Sequence, residues 1–221
     1  MTVLAPARSR TYTVHLPVAG WAAVGFVLLY LLSVGTAIGQ QLDESAMRWT
    51  AETFFRNGWA QGLLTAVSAW GVLLSGAALA TVTAVTRGPR VAVLGGLSVV
   101  VVLLGAEVLK LALTRPALST GALANSFPSG HVAAVTGLAV ALVLAAPAGG
   151  RRRAALVGVT PVVTLTGLAT VVLEWHRPSD VLGSVLLGVM VGMAAVRWEH
   201  GPRPAAADEQ SEPAGRDRVG C

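Results

Sequence analysis

The chain has 221 residues, of which 54% are hydrophobic and only 12% charged, with a net charge of +5. Apolar content gathered into six long runs excludes an ordinary soluble domain. The positive balance sits in short arginine clusters beside those runs, which excludes a nucleic-acid patch.

Residues 1–15 read as a short cytoplasmic segment carrying Arg8 and Arg10. A membrane-spanning helix needs roughly 20 apolar residues, and the first is expected at about 17–38. Its run is too long for a signal-peptide core of about 7–15 residues, so it is expected to remain as an anchor. The segment that follows contains QQLDESAMRWTAETFFRNGW, which mixes charges with Trp49, Phe54, Phe55 and Trp59. It predicts a short helix lying at the membrane interface, with gating of lipid access as the alternative role.

Five further spans are expected at about 60–85, 91–113, 131–149, 154–174 and 180–197. Arg87 and Arg90 lie between the second and third. Arg151, Arg152 and Arg153 lie between the fourth and fifth, and Arg197 and Arg203 follow the sixth. With six crossings all four clusters share one face, which the positive-inside rule makes cytoplasmic. The expected fold is therefore an all-α, polytopic six-helix bundle over residues 16–198 of the plasma membrane, with both termini cytoplasmic. The tail, 199–221, has almost no large apolar residues and is expected to be disordered. The single cysteine, Cys221, permits no disulfide within the chain and forms no prenylation box.

Ionisable residues near the membrane are costly and usually functional. Here they gather at the outer ends of the spans. Lys110, the only lysine, closes the third span, and Arg115 follows it. His131 opens the fourth span, while His176 and Asp180 bracket the start of the sixth. Each has a plainer reading. Lys110 can snorkel or pair with Glu107, Arg115 can face a headgroup, and Asp180 can serve the helix dipole. Ser179 reads as a helix start rather than a nucleophile.

Between the third and fourth spans stands SFPSGH, residues 126–131. Pro128, Ser129, Gly130 and His131 make a tight turn feeding a helix N-terminus. Glycine allows close backbone approach, and the first helical amides lack internal partners. The turn is a cradle for phosphate or a similar oxyanion. WHRPSD, residues 175–180, predicts a second site of the same kind, with the Asp180 carboxylate within reach of the His176 imidazole. Lys110 and Arg115 supply positive charge. Two histidines, one with a carboxylate partner, point to phosphoryl transfer: one attacks phosphorus and the other protonates the leaving oxygen.

These residues resemble the type 2 phosphatidic acid phosphatase superfamily, which includes membrane lipid phosphatases, undecaprenyl diphosphate phosphatases and, more distantly, vanadium haloperoxidases. The resemblance covers roughly residues 100–195. The family has three ordered motifs: Lys, six residues, Arg-Pro; Pro-Ser-Gly-His; and Ser-Arg, five residues, His, three residues, Asp. The second is complete at Pro128–His131. The first appears as KLALTRP, with four residues between Lys110 and Arg115. The third keeps His176 and Asp180, but Ala169 and Thr170 replace Ser-Arg, removing one cation of the clamp. Arg177 beside His176 is a candidate to replace it, with pairing to Asp180 or to a lipid headgroup as the alternatives.

The resemblance implies that His176 is the nucleophile, that Asp180 orients it, and that His131 is the acid and then the base. It implies that Lys110, Arg115, Ser129 and Gly130 hold the phosphate. It implies no metal and no cofactor. The substrate expected is a lipid phosphate or diphosphate reached from the extracytoplasmic side: phosphatidic acid, phosphatidylglycerol phosphate or undecaprenyl diphosphate. Two alternatives stay open. One is a phosphotransferase using the same phosphohistidine. The other is a lipid-phosphate binder impaired by the altered third motif.

Overall fold

The computed structural model describes residues 12–54, 58–118 and 125–200, with side chains from residue 17 onward. Most of the expected cytoplasmic segment and nearly all of the expected disordered tail, with Arg8, Arg10, Arg203 and Cys221, lie outside the described residues. So does Phe55.

The described residues are helical, without strands. Helix α1, Tyr12–Leu29, runs into a single π-helical turn at Tyr30–Val34. Thr36 then starts α2, Ala37–Thr53, its hydroxyl accepting from the Gly39 amide at 3.0 Å. The expected span at 60–85 is instead two helices, α3 (Trp59–Ala66) and α4 (Ala69–Arg87). Ser68 explains the break, because its hydroxyl accepts from the Gly71 amide and opens α4 as a separate helix. Gly88, at φ 89°, turns the chain into α5, Pro89–Ala112, whose proline stands in the first helical turn.

Helix α6 covers Gly130–Ala145, α7 covers Gly150–Val172, and α8 covers Pro178–Glu199. Five stretches are long and apolar enough to cross a membrane: Pro17–Val34 and helices α4, α5, α7 and α8. The protein is thus a multi-pass membrane protein. Helix α6 has only 16 residues, about 24 Å at 1.5 Å per residue, against a hydrocarbon core of about 30 Å. It ends early because Pro147 lies just beyond its C-cap, Ala146.

What α6 lacks in length it makes up in centrality. It packs against α4, α5, α7 and α8. Val132 through Gly137 are buried without interruption, as expected for a helix apolar on every side. Small residues allow the approach. A Cβ on Gly188 of α8 would lie 2.1 Å from Thr136 of α6, and one on Gly183 would lie 2.6 Å from the Phe127 ring. Phe127 itself is fully buried against Phe26 and Tyr30 at ring separations of 5.2 and 5.7 Å. The outer helices turn Val85, Leu111 and Val157 outward, where lipid is the solvent.

The two ends of the bundle differ in chemistry. At one end Arg87 and Arg152 pair with Glu199 at 3.1 and 2.8 Å, and Arg90 donates to the Trp198 carbonyl. Arginines from two of the expected clusters therefore meet the end of α8 on one face. At the other end lie α2, the loop after α5, the start of α6 and the α7–α8 turn.

Candidate active site

The α7–α8 turn places His176 through the backbone. The Trp175 and His176 amides both donate to the Thr170 carbonyl, at 3.0 and 3.2 Å. Asp180, three residues after Arg177, folds back to accept from the Arg177 amide at 2.9 Å. It is fully buried, and its Oδ2 also accepts from the Ser126 hydroxyl. Its Oδ1 meets Arg115 Nη2 at 3.0 Å. His176 Nδ1 lies 3.5 Å from Oδ2, at the long limit of a hydrogen bond. Asp180 is thus surrounded by donors and faces the ring's Nδ1 side, although Nδ1 itself makes no hydrogen bond of good geometry.

The PSGH turn is bonded to this arrangement directly. The Ser129 amide donates to the Asp180 carbonyl at 3.0 Å, and the Ser184 hydroxyl donates to the Ser129 carbonyl at 2.7 Å. Ser129 is fully buried and serves as the N-cap of α6, its hydroxyl accepting from the Val132 amide. His131 packs its ring against Trp175 at 5.7 Å and lies within electrostatic range of His176 and Lys110. Lys110 pairs with Glu107 at 2.9 Å, and both keep partial exposure. Gly130 sits against this pair: a Cβ there would come 2.8 Å from Glu107 Oε1 and 3.6 Å from Lys110 Nζ.

The two helix starts, expected to be equivalent, are not. At α8 the Ser179 amide is taken by Asp43 at 3.0 Å, and the Asp180 and Val181 amides return to the Arg177 carbonyl. That N-terminus is closed to an anion. At α6, among the described residues, no protein acceptor meets the Gly130 and His131 amides. The open cradle is the PSGH turn alone.

Arg177 does not stand loose beside His176. Its side chain is 1% exposed, and Nη2 bonds Glu44 of α2 at 3.0 Å. Arg115 is 4% exposed and bonds Asp180. Among the described residues, each guanidinium nonetheless keeps Nε and Nη1 buried without an acceptor. The two arginines lie within electrostatic range of each other and of Asp43 and Glu44. Burial lowers the Arg115 pKa from its ordinary value, against the opposing pull of Asp180. Burial raises the Asp43 carboxyl above its ordinary value, although bonds from Ser179 act the other way.

Sequence reasoning did not single out Ser126, Asn125, Gln40, Asp43 or Glu44. Asn125 donates to the Lys110 carbonyl at 2.9 Å and to the Leu113 carbonyl, satisfying the end of α5. Gln40 donates to the Val34 and Pro116 carbonyls at 2.8 and 2.7 Å. The segment at 39–59 is expected to lie at the membrane interface, as an anchor or as a gate for lipid. Helix α2 does expose Ile38, Leu42 and Trp49, but its polar stripe of Gln40, Asp43 and Glu44 faces inward. Among the described residues, no group of three or more His, Cys, Asp or Glu is arranged to hold a metal ion.

This arrangement matches a known family. The PAP2 superfamily profile matches residues 65–204. The chain belongs to the PAP2 superfamily. The match contains all three motif regions and the two histidines. A solved structure, that of "the first transmembrane PAP2 type phosphatidylglycerolphosphate phosphatase from Bacillus subtilis", has the same fold, with a TM-score of 0.67 at 21% identity. The alignment covers 82% of this chain and 95% of that one. Among curated proteins, none matches the sequence.

Proposed function

We propose that this PAP2-superfamily protein is an integral-membrane phosphatase. It hydrolyses a lipid phosphomonoester or diphosphate through a phosphohistidine on His176, at the extracytoplasmic face. The carrying observation is the joining of His176, Asp180 and the open PSGH cradle through the single backbone hydrogen bond from the Ser129 amide to the Asp180 carbonyl. Family membership and the fold shared with a phosphatidylglycerolphosphate phosphatase support the reaction class.

The Nδ1 side of His176 faces Asp180, which leaves Nε2 with its lone pair for attack on phosphorus. The N–P bond forms as the bond from phosphorus to the lipid oxygen breaks. His131, protonated, gives its proton to that oxygen and releases the alcohol or phosphate monoester. Neutral His131 then takes a proton from water. The resulting hydroxide attacks phosphorus, the N–P bond breaks, and inorganic phosphate leaves. Lys110, the free donors of Arg115 and Arg177, and the Gly130 and His131 amides hold the phosphoryl oxygens. Ser129 sets the cradle as its N-cap. The site lies at the end opposite the Arg87–Arg152–Glu199 cluster. The positive-inside rule therefore supports an extracytoplasmic site.

Phosphatidylglycerol phosphate, phosphatidic acid and undecaprenyl diphosphate are the candidate substrates. The test is phosphate release by the detergent-purified protein on these three lipids, with His176→Ala beside it. Release that disappears in the variant supports the reading. Folded wild-type protein that releases nothing from any of them would overturn it.

A further inference from the structure

Helix α2 reaches both arms of the site with one stripe. Gln40, Asp43 and Glu44 stand at i, i+3 and i+4, the spacing that places side chains on one helix face. All three are at most 8% exposed. Gln40 bonds the carbonyl of Pro116, the residue after Arg115. Asp43 takes both the amide and the hydroxyl of Ser179, in the first turn of α8. Glu44 takes Nη2 of Arg177. An inward carboxylate pair is costly to bury and needs compensation. Ser179 and Arg177 supply it here, and both adjoin the nucleophile turn. Had α2 served only as an anchor, its charged side would face water and its apolar side the membrane or bundle. Instead Gln40, Asp43 and Glu44 are buried, while Ile38, Leu42 and Trp49 are exposed beside Gln41, Ser45 and Arg48.

Glu44 also determines which part of Arg177 remains free. By taking Nη2 it leaves Nε and Nη1, donors that point to different sides of the guanidinium, without an acceptor. Each is a charged donor able to meet a phosphoryl oxygen. A buried guanidinium with two open donors beside a second such guanidinium, Arg115, is a built receptor for an oxyanion.

We propose that Glu44 is a positioning residue for phosphate recognition. It fixes Arg177 so that its open donors are presented to the substrate phosphoryl group, while Asp43 and Gln40 hold α2 against the two arms. This rests on the phosphatase reading for its physiological ligand, though its test does not depend on turnover. The assay is the dissociation constant of inorganic phosphate for the full-length protein in detergent, read from ligand-induced thermal stabilisation and by calorimetry. Dissociation constants, unlike rates, are insensitive to the fraction of protein that is inactive.

Glu44→Gln is expected to weaken phosphate binding by about 10-fold or more, the scale of loss when an orienting partner is removed. Glu44→Asp keeps the counter-charge, shortens the reach by one methylene, and is expected to fall between wild type and Gln. It also supplies the answer if the Gln variant does not fold. In an Arg177→Met background, Glu44→Gln should change phosphate binding little further, because Glu44 acts through Arg177. A merely structural glutamate would weaken binding equally in both backgrounds. Wild-type affinity in both Glu44 variants, equal losses in both backgrounds, or no phosphate binding by the wild type would each overturn the proposal. Phosphate binding of the expected pattern without lipid hydrolysis would sustain it while defeating the phosphatase reading. Hydrolysis with affinity indifferent to Glu44 would do the reverse.

Discussion

Asp180→Asn replaces one oxygen at the most crowded point of the site. The carboxylate is fully buried and takes Arg115 at 3.0 Å, the Ser126 hydroxyl and the Arg177 amide. Opposite charges at that separation attract by about 5.5 kcal/mol at an effective dielectric of ~20. Desolvation of both ions offsets much of this, so the pair itself contributes little net stability. Removing one partner is different. Arg115, 4% exposed, would keep its charge and lose its anion, which costs about 3–5 kcal/mol. The new amide nitrogen would also face a donor, either Arg115 or the Arg177 amide. A chain of this size shifts by roughly 2–4 °C per kcal/mol, so the apparent Tm in detergent should fall by on the order of 10 °C. Phosphate release should fall on the order of 10⁴-fold, the loss seen when the carboxylate charge behind a catalytic histidine is removed from a Ser-His-Asp triad. Adding Arg115→Met should recover part of the Tm by removing the stranded cation, and none of the activity. A single variant melting within ~2 °C of wild type would refute the buried-pair argument, and activity restored in the double variant would refute the role given to Asp180.

Gly130→Ala would place a Cβ 2.8 Å from Glu107 Oε1. That oxygen ends a flexible, half-exposed side chain, so the apparent Tm should move by under about 2 °C, while displacement of Lys110 lowers phosphate release roughly 10-fold. Gly183→Ala would meet buried Phe127 at 2.6 Å, where nothing flexible can yield. Overpacking of this kind costs about 1–3 kcal/mol, and a melting curve unchanged from wild type would contradict the packing described. The Asp43 carboxyl is raised by burial, so its destabilising contribution is absent below its ordinary pKa and fully present above its folded one. The Tm of Asp43→Asn minus that of wild type should therefore grow more positive as pH rises from about 4 to 8; a difference moving the other way would show the carboxylate to be favoured by folding.

The long helices were legible because lipid imposes a one-dimensional rule: about 20 apolar residues in a row must form a helix. Arg87, Arg151 and their neighbours were readable as a common face for the same reason. The break at Ser68 was not, since an N-capping serine within an apolar run looks like any other small residue until its hydroxyl finds Gly71. The motif residues announced their chemistry through local spacing, as with Asp180 four residues after His176. What spacing cannot carry is the choice of partner across the fold. Glu44 and Arg177 are 133 residues apart, and Arg115 and Asp180 are 65 apart. The pattern of α2 is amphipathic, but periodicity gives two faces without saying which one meets the protein. In a bilayer the usual assignment inverts, and the polar stripe turned out to be the buried one.

The altered third motif follows the same logic. The positions where the family carries Ser-Arg hold Ala169 and Thr170, both fully buried. Ala169 packs with Ala60 and Leu64 of α3. Thr170 turns its hydroxyl to the Gly167 carbonyl and gives its own carbonyl to the Trp175 and His176 amides. An arginine at 170 would have to leave this enclosed position, and at 169 it would displace α3. The nearby buried cation is instead Arg177, seven residues beyond Thr170 and at the N-cap of α8. A buried guanidinium at that place needs an anion, and the side chain of its neighbour Asp180 is already paired with Arg115. Glu44 is that anion. On the proposed phosphate reading, Arg177 takes over from the arginine that α7 lacks and Glu44 is its counter-ion, and a PAP2 chain with Ala-Thr at these positions is then expected to carry the other two changes together.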